Sequence, residues 1–359
     1  MSKGSLTYED YFNLTKKNII KSKNFDFSQI QPSSIDLTLS KECYEIKASF
    51  LSPNNKIIDI LDEVKIKEIN LENSYVFKKN RTYLVKLNEK LNLNKNIFGK
   101  CNPKSSTGRL DIFCRTILDY SNEYEKIPFN YSGEIFLEIT SRSFNIRFNK
   151  GDSLNQMRLI CKKHMYLEDK ILKNQHLSKP IIFNRAGKAI IPDISNGLKI
   201  SVDLDNKNKI SAFVAKKNSP ILNFNNINKH KIEQFWDSIQ SIKNSLIIEP
   251  EKFYILKSKE KIRIPKDMAG EMIPYDTSIG DFRVHYAGFF DPGFGDPTGS
   301  FAVLEVKTNE VPFILEDGQA IARINYEKLN KESKVVYGSH IKSNYQNQGL
   351  KLSKHFKKI

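Results

Sequence analysis

The chain has 359 residues, a formal net charge of +16 and a hydrophobic content of 39%. This length suits about two domains at roughly 150 residues each. The sequence contains no run of about 18 apolar residues, so we expect no membrane-spanning helix. The polar N-terminus lacks the apolar core of a signal peptide, and we therefore expect a cytoplasmic protein. The positive charge suits polyanions such as nucleic acid or a phosphorylated small molecule, but a lysine-rich composition accounts for it equally well.

The cysteines and histidines show no metal-binding pattern. The four cysteines are scattered without C-x-x-C spacing, and no two of the six histidines have H-x-x-x-H spacing. We therefore expect reduced, buried thiols and no protein-bound zinc.

The first half of the chain predicts β structure after one short helix. Residues Tyr8–Lys23 have a loose helical period, which indicates a peripheral helix. Short alternating segments between Asn, Gly and Pro turns then predict strands. These are Ser33–Leu39, Cys43–Ala48, Tyr75–Lys78, Tyr83–Leu87, Ile112–Leu118, Glu134–Ile139, Phe144–Phe148 and Met157–Leu159. Residues 162–185 are predicted to form a Lys-rich connector, so the first half is predicted to be an all-β domain.

The second half repeats the strand pattern around one predicted helix. Apolar residues at helical spacing predict a helix over Asn228–Asn244, in which Trp236 suits a core position better than a ligand platform. The predicted strands are Leu198–Leu204, Phe253–Leu256, Arg283–Phe289, Phe301–Val306, Phe313–Leu315 and Ala320–Ile324. The polar, basic segment Tyr337–Ile359 is predicted to be a mobile tail.

The two halves resemble each other at a nearly constant offset. At an offset of 171, Tyr83, Lys86, Glu89, Lys90, Lys95, Gly99 and Pro103 coincide with identical residues of the second half. One residue further, Gly108 and Asp119 coincide with Gly280 and Asp291. At an offset of 167, Asp36, Leu137, Glu138 and Gly151 coincide with Asp203, Leu304, Glu305 and Gly318. The sequence therefore predicts that one β domain has been duplicated.

The two copies differ in complementary places. The first carries Lys104–Arg109, whose hydroxyls, backbone N–H groups and cations suit phosphate oxygens. The matching loop of the second copy, Tyr275–Gly280, lacks the cations and adds a carboxylate. The second copy instead carries His285–Phe294, an aromatic run that offers walls for a flat ring. One composite site between the copies explains both differences.

Three motifs in order resemble a known family. They are PKSSTGRLD at residues 103–111, HYAGFFDPGF at 285–294 followed by Val303-Leu304-Glu305, and YQNQGL at 345–350. Together they resemble the dCTP deaminases of the dUTPase superfamily, and more closely their long bacterial form with two tandem domains. The resemblance implies an all-β chain of two distorted jelly-roll domains, 1–175 and 176–359, with active sites between neighbouring copies. It also implies a homo-oligomer, for which a trimer is one arrangement, and makes nucleic acid a less favoured partner.

The resemblance also assigns roles to residues. Catalytic roles fall on Glu305, Ser105 and Arg109, and substrate-binding roles on Lys104, Ser106, Ala287, Asp291, Tyr345, Gln346 and Gln348. Asp291 matches a sugar contact, and the tail residues match contacts to a triphosphate that carries Mg²⁺, a metal held mainly by the phosphates rather than by the protein. Lys104 departs from the usual Arg, and the insert Gly295–Thr298 has no counterpart in the short enzymes.

The expected chemistry places water on C4 of cytosine with a carboxylate as proton shuttle and without zinc. Glu305 lies in an apolar strand, where a carboxylate without a partner is costly, although alternation also allows it to face outward. Glu138 is the repeat-equivalent carboxylate and ranks second. Arg109 suits charge stabilisation or an ion pair with Asp111, and His285 suits a structural role at least as well as a base.

Other functions stay open on the sequence alone. The zinc cytidine deaminases require H-x-E and P-C-x-x-C, and neither occurs here. A dUTP diphosphohydrolase, or an enzyme that performs both reactions, would use an Asp such as Asp291 as base. A non-catalytic nucleotide sensor or nucleic-acid binder would bind without turnover, with a steep salt dependence for nucleic acid.

Overall fold

The protein is described by a computed structural model. The structure describes residues 2–23, 25–164, 166–205, 210–274, 282–284, 288–308, 310–338 and 345–358. Strands dominate and helices are few, which confirms the prediction of a mostly β chain. No helix among these residues has the length and apolar character needed to cross a membrane.

The strands of the first half include one in each of the eight predicted segments and five that the sequence did not predict. They are β1 Gly4–Ser5, β2 Ile20–Lys21, β3 Ile35–Leu37, β4 Leu39–Ile46, β5 Lys65–Asn70, β6 Tyr75–Phe77, β7 Thr82–Asn92, β8 Ile97–Pro103, β9 Ile112–Leu118, β10 Lys126–Ile127, β11 Ser132–Ser141, β12 Ile146–Phe148 and β13 Asn155–Cys161. The five strands that were not predicted are β1, β2, β5, β8 and β10.

The strands of the second half are distributed in the same manner. They are β14 Ile182–Phe183, β15 Leu198–Ser201, β16 Ala212–Ala215, β17 Leu222–Asn223, β18 Trp236–Ile239, β19 Ser245–Ile248, β20 Tyr254–Ile262, β21 Met268–Pro274, β22 Phe282–Val284, β23 Phe289–Phe290, β24 Ser300–Thr308, β25 Phe313–Glu316 and β26 Ala320–Lys328.

The helices are short and lie between strands. They are α1 Tyr8–Lys16, α2 Ile57–Val64, α3 Ser105–Gly108 and α4 Asp169–Ser178, with 3₁₀ turns at Phe27–Gln29, Leu71–Asn73 and Ile232–Gln234. Helix α1 confirms the predicted N-terminal helix but is shorter, and a capping box between Thr7 and Asp10 fixes its start. Helix α4 lies within the segment that was predicted to be a connector.

The two halves have the same sheet topology. One sheet of the first half has the order β5-β4-β7-β11-β9, and its counterpart has the order β18-β16-β20-β24-β22. In a second pair of sheets, the order β13-β8-β10 of the first half matches the order β26-β21-β23 of the second half. Strand β3 pairs with β13, and β15 pairs with β26 in the same way. This matched order agrees with the duplication that the sequence indicates.

The cores of the two halves are joined. One hydrophobic cluster contains residues of the first half together with second-half residues such as Phe235, Trp236 and Phe253, while a separate cluster fills the second half. Strand β17 also pairs in parallel with β12, so it extends a sheet of the first half. The four cysteines are buried and free, as predicted.

Two predictions for the second half are wrong. The segment predicted as a helix around Trp236 forms a 3₁₀ turn followed by β18, which pairs with β16. Trp236 is nevertheless a core residue as predicted, since it is 2% exposed and packs against Phe144 and Phe253. The C-terminal segment is not a loose tail over residues 345–358, because Leu352 and Phe356 are buried in the first core.

Candidate active site

A cavity of about 550 Å³ lies between the two halves. The first half contributes the α3 loop, with Lys104, Ser105, Ser106 and Arg109. The second half contributes residues 288–291, Phe294, Val303 and Glu305, and the C-terminal segment contributes Tyr345, Gln348 and Lys354. Predicted residues from both copies, among them Ser105, Arg109, Asp291 and Glu305, therefore line one cavity within a single chain.

The α3 loop is a single helical turn between β8 and β9. Its position is fixed by the backbone carbonyl of Leu154, which accepts hydrogen bonds from the Lys104 N–H (2.9 Å) and the Thr107 hydroxyl (2.8 Å). The carbonyl of Ser106 accepts a bond from the Ser353 hydroxyl at 2.8 Å. Ser105 is half-buried at the mouth of this turn and faces Gly288 of the other half.

Arg109 ends the loop and is only 3% exposed. Its two terminal nitrogens donate to the Lys351 carbonyl and to the Gln348 side chain, each at 2.9 Å. The Tyr345 ring lies 3.9 Å from the guanidinium. The remaining donor, Nε, is buried without a hydrogen-bond partner among the described residues. The alternative ion pair with Asp111 is not formed, because Asp111 contacts Ser143 and Lys307 instead.

Glu305 projects from β24 into the same cavity. It is 6% exposed, which rules out the outward orientation, and its Oε2 has no hydrogen-bond partner among the described residues. The carboxyl group lies directly against Gly108, where any side-chain carbon would overlap it. Gly108 therefore leaves space for the Glu305 carboxyl group, and the next residue, Arg109, supplies a cation.

Burial controls the protonation of Glu305. Loss of solvent raises the pKa of Glu305 well above its ordinary value, Arg109 lowers this pKa in part, and Asp111 raises it further. A raised pKa makes a carboxyl group a better proton acceptor than an ordinary carboxylate, a property that suits general acid–base catalysis.

Asp291 also lines the cavity and is 9% exposed. Its Oδ1 accepts a hydrogen bond from the Ser33 hydroxyl at 2.9 Å and lies 3.6 Å from the Arg158 guanidinium. Burial raises the pKa of Asp291, while Arg158 and the Ser33 hydroxyl act in the opposite direction. Neither Ser33 nor Arg158 belongs to a motif that the sequence singled out.

A cationic end of the cavity surrounds Lys104. Its ammonium group contacts Asp36 at 2.5 Å and Ser153 at 3.4 Å. Lys354 lines the same region, and burial followed by repulsion from Lys104 lowers the pKa of Lys354. This arrangement of two lysines beside the serine hydroxyls suits a polyphosphate.

Of the C-terminal residues predicted to contact substrate, Tyr345 and Gln348 line the cavity and Gln346 does not, and all three are engaged with protein. Gln348 joins Arg109 to the Phe301 carbonyl, to which its amide donates at 2.9 Å. Gln346 accepts from the Gly295 N–H at 3.1 Å and donates to the Gly293 carbonyl at 3.3 Å. Ala287 and His285 lie outside the described residues, and Gly288 is the first described residue after them.

Comparisons with known proteins agree with this geometry. The chain matches the family model for the 2'-deoxycytidine 5'-triphosphate deaminase N-terminal domain over residues 2–163 and the model for its C-terminal domain over residues 168–356. The chain belongs to the dCTP deaminase family. The predicted resemblance is thereby confirmed.

A solved structure shows the same likeness over most of the chain. The dCTP deaminase of Agrobacterium tumefaciens is 36% identical, with a TM-score of 0.87, and the match covers 92% of this chain and all of that one. A comparison with curated proteins gave no match.

Sequence reasoning missed the N-terminal wall of the site. Tyr8, Phe27 and Gln31 line the cavity from α1 and the 3₁₀ turn that follows it. Tyr8 and Phe27 are visible in the sequence as aromatic residues, but nothing in their spacing links them or Gln31 to the distant α3 loop. The described residues contain no group of three or more His, Cys, Asp or Glu side chains placed to hold a metal ion.

The repeat-equivalent carboxylate in the first half has a different environment. Glu138 is 1% exposed, and its two oxygens contact Arg115 at 2.8 Å and Ser49 at 2.5 Å. Asp119, the equivalent of Asp291, accepts a hydrogen bond from the Ile57 N–H at 2.8 Å and so holds the start of α2. Both carboxylates are therefore used by the protein itself.

Proposed function

We propose that the chain catalyses the hydrolytic deamination of dCTP to dUTP and ammonia in the cavity between its halves. The observation that carries this proposal is the buried, unpartnered carboxyl oxygen of Glu305 in the same cavity as the α3 loop. Family membership supports the substrate class.

The triphosphate lies at the cationic end of the cavity. Lys104 and Lys354 supply charge, and Ser105 and Ser106 supply hydroxyl and backbone donors. Mg²⁺ enters as part of the substrate, held mainly by phosphate oxygens. The aromatic residues Phe289, Phe290 and Phe294 also line the cavity, where a pyrimidine ring and its sugar fit beside Asp291.

Glu305 performs the proton transfers of the reaction. It removes a proton from water as the water oxygen bonds to C4, and N3 of the ring receives that proton. The hydroxyl proton of the resulting tetrahedral carbon then passes through Glu305 to the amino group. The C4–N bond breaks, ammonia leaves and the C4 carbonyl of dUTP forms. General acid–base catalysis of this kind contributes roughly 10²- to 10⁴-fold and needs no zinc.

Arg109 and Ser105 support this step from the other half of the chain. The guanidinium of Arg109, whose Nε has no hydrogen-bond partner among the described residues, stabilises negative charge that develops on the oxygen bonded to C4. Gln348, the Lys351 carbonyl and the Tyr345 ring prevent the guanidinium from turning away. The Ser105 hydroxyl, at the boundary between the halves, orients the water or a phosphate oxygen.

The same proposal includes the arrangement of the chain. Each half, 1–175 and 176–359, is a distorted jelly roll, and the matched sheet orders support this description. The protein acts in the cytoplasm as a homo-oligomer, with a trimer as one arrangement, and each chain already contains a composite cavity.

The experiment is product analysis with chelator-treated protein, dCTP and Mg²⁺ in isotopically labelled water. The proposal expects dUTP and ammonia, with the label in the uracil ring, and loss of both products in Glu305→Gln. Appearance of dUMP and pyrophosphate would show the diphosphohydrolase alternative. Intact dCTP with the wild-type protein, despite measurable nucleotide binding, would favour a sensor.

A further inference from the structure

Arg158 is a fully buried cation that the proposed reaction leaves without a role. It lies in the middle of β13 in the first half, is 0% exposed and points its side chain into the second half. Its position does not line the cavity. A buried guanidinium must satisfy five N–H donors, so its contacts are informative about what it holds in place.

The contacts of Arg158 converge on one wall of the cavity. Its Nη2 donates to the Phe290 carbonyl at 3.3 Å and lies 3.6 Å from Oδ1 of Asp291. The guanidinium carbon lies 4.1 Å from the centre of the Phe289 ring. A single side chain of the first half thus touches three consecutive residues of the second half.

The remaining contacts fix the guanidinium itself. Its Nε donates to the Ser33 carbonyl at 3.1 Å, and Nη1 donates to the Gly270 carbonyl at 3.1 Å. Nη1 also forms an ion pair with Glu327, which is 0% exposed. Ser33 completes the arrangement, because its hydroxyl donates to the same Asp291 oxygen that faces Arg158.

We propose that Arg158 is a positioning residue for nucleoside binding, which holds Asp291 and the Phe289–Phe290 wall in the orientation that receives the sugar and base. This inference rests on the proposed function, since it assigns the nucleoside to that wall. Arg158 acts through Asp291 and does not touch the substrate.

The geometry separates this role from the chemical step. Glu305 and Arg109 form no direct contact with Arg158, and they lie on β24 and the α3 loop rather than on β23. Loss of Arg158 is therefore expected to weaken ground-state binding while the proton transfers continue in bound substrate. In kinetic terms, KM rises and kcat changes little.

The test compares Arg158→Met and Arg158→Lys with the wild type, using steady-state kinetics and equilibrium binding of dCTP. We expect Arg158→Met to raise KM and the dissociation constant by roughly 10- to 100-fold, with kcat within about threefold, because a buried charge partner is lost. Arg158→Lys should recover part of this loss, since it restores charge but not the fork of donors.

Arg115→Met is the matched control. Arg115 also pairs with a buried carboxylate, but in the first half and away from the cavity. A general effect of removing a buried ion pair would appear in both Met variants. Equal KM values in Arg158→Met and the wild type, or equal losses in the two Met variants, would overturn the inference.

A double-mutant cycle tests whether the effect passes through Asp291. If it does, Asp291→Asn and Arg158→Met combine with far less than additive loss in kcat/KM, whereas independent structural effects would add and contradict the inference. Ser33→Ala serves where Arg158→Met fails to fold, and it should raise KM by about 3- to 10-fold because Asp291 loses one hydrogen bond.

The binding measurements keep the two proposals distinguishable. A wild-type protein that binds dCTP without turnover would contradict the deaminase proposal, yet weaker binding by Arg158→Lys would still support the positioning role. A wild-type protein that turns over dCTP, with Arg158 variants of normal affinity, would contradict the positioning role alone.

Discussion

Glu305 and Glu138 occupy equivalent positions in the two halves but differ in what surrounds them. Both are almost fully buried, on β24 and β11. Glu138 is neutralised by Arg115 and Ser49, whereas Glu305 has an unpartnered oxygen in an open cavity. A buried carboxylate without a partner is costly. The difference therefore indicates that the second half, and not the first, presents a reactive carboxyl group.

The first half has filled the space that the second half leaves open. Phe136, the equivalent of cavity-lining Val303, packs in a cluster with Ile57 and Leu61 of α2. Ser49 and Asp119 tie the ends of the same segment to the sheet. The segment between β4 and β5, which carries α2, therefore packs protein side chains against the residue equivalent to a cavity-lining one. This comparison can be tested in both directions.

The largest expected effect is on catalysis. Glu305→Gln should lower kcat by roughly 10²- to 10⁴-fold because the proton shuttle is lost. Glu138→Gln should leave kcat within about twofold, since an amide can still bond to Arg115 and Ser49. Steady-state deamination assays check both values. Comparable losses in the two variants would mean that the first half also supports a site.

The second prediction concerns the space in front of Glu305. Gly108→Ala should lower kcat by roughly 10- to 100-fold. The added methyl group would overlap the Glu305 carboxyl group, so this group must move away from its present position. Gly349→Ala is the matched control, as no atom lies within 4 Å of its added carbon. Unchanged kcat in Gly108→Ala would show that the position of Glu305 is not critical.

The third prediction concerns how much the Arg115–Glu138 ion pair of the first half stabilises the fold. Arg115→Met should lower the free energy of unfolding by about 2–4 kcal/mol, because Glu138 becomes an uncompensated buried charge. The deamination rate should stay near that of the wild type. Urea unfolding followed by circular dichroism measures the change, and the double variant Arg115→Met/Glu138→Gln should regain most of the loss.

The smallest expected effect is on stability at pH 8. Replacing the buried carboxyl group by an amide should raise stability in the second half and lower it in the first. Because the folded-state pKa of Glu305 is raised, its protonated form is favoured by folding, and the protein loses stability as pH rises from the ordinary carboxyl range through that raised value. Glu305→Gln should therefore be more stable than the wild type by about 1–2 kcal/mol at pH 8 and no more stable at pH 4.

Glu138→Gln, in the first half, should change stability in the opposite direction. It should be less stable than the wild type by about 1 kcal/mol at pH 8, since charge-assisted hydrogen bonds become neutral ones. Thermal unfolding at pH 4 and pH 8 measures both variants under identical conditions. Shifts in the same direction at pH 8 would contradict the comparison.

Much of the strand pattern and of the site could be predicted from the sequence. Alternation located most of the long strands, and these predictions succeeded because they rest on local pattern. The complementary loops predicted one composite site, and the family resemblance added Glu305; Arg109 and Glu305 line one cavity in the structure. The roles assigned to the site residues stay predictions.

The failures have a common physical cause. Phe235 and Trp236 lie in a segment whose apolar residues have helical spacing, which predicted a helix. Both side chains are buried, and the strand that begins at Trp236 forms because it pairs with β16. The C-terminal segment looks polar, yet its few apolar residues, Leu352 and Phe356, reach the first core. Arg158 gave no signal because its partners lie in distant segments. In each case tertiary contacts overrode local composition.

The C-terminal segment links the cavity to the core of the first half. Gln348 and the Lys351 carbonyl hold Arg109, and Phe356 is anchored among residues of the first half. The guanidinium is therefore fixed by a segment whose own anchor lies in that core. Packing around Phe356 consequently bears on the geometry of the cavity.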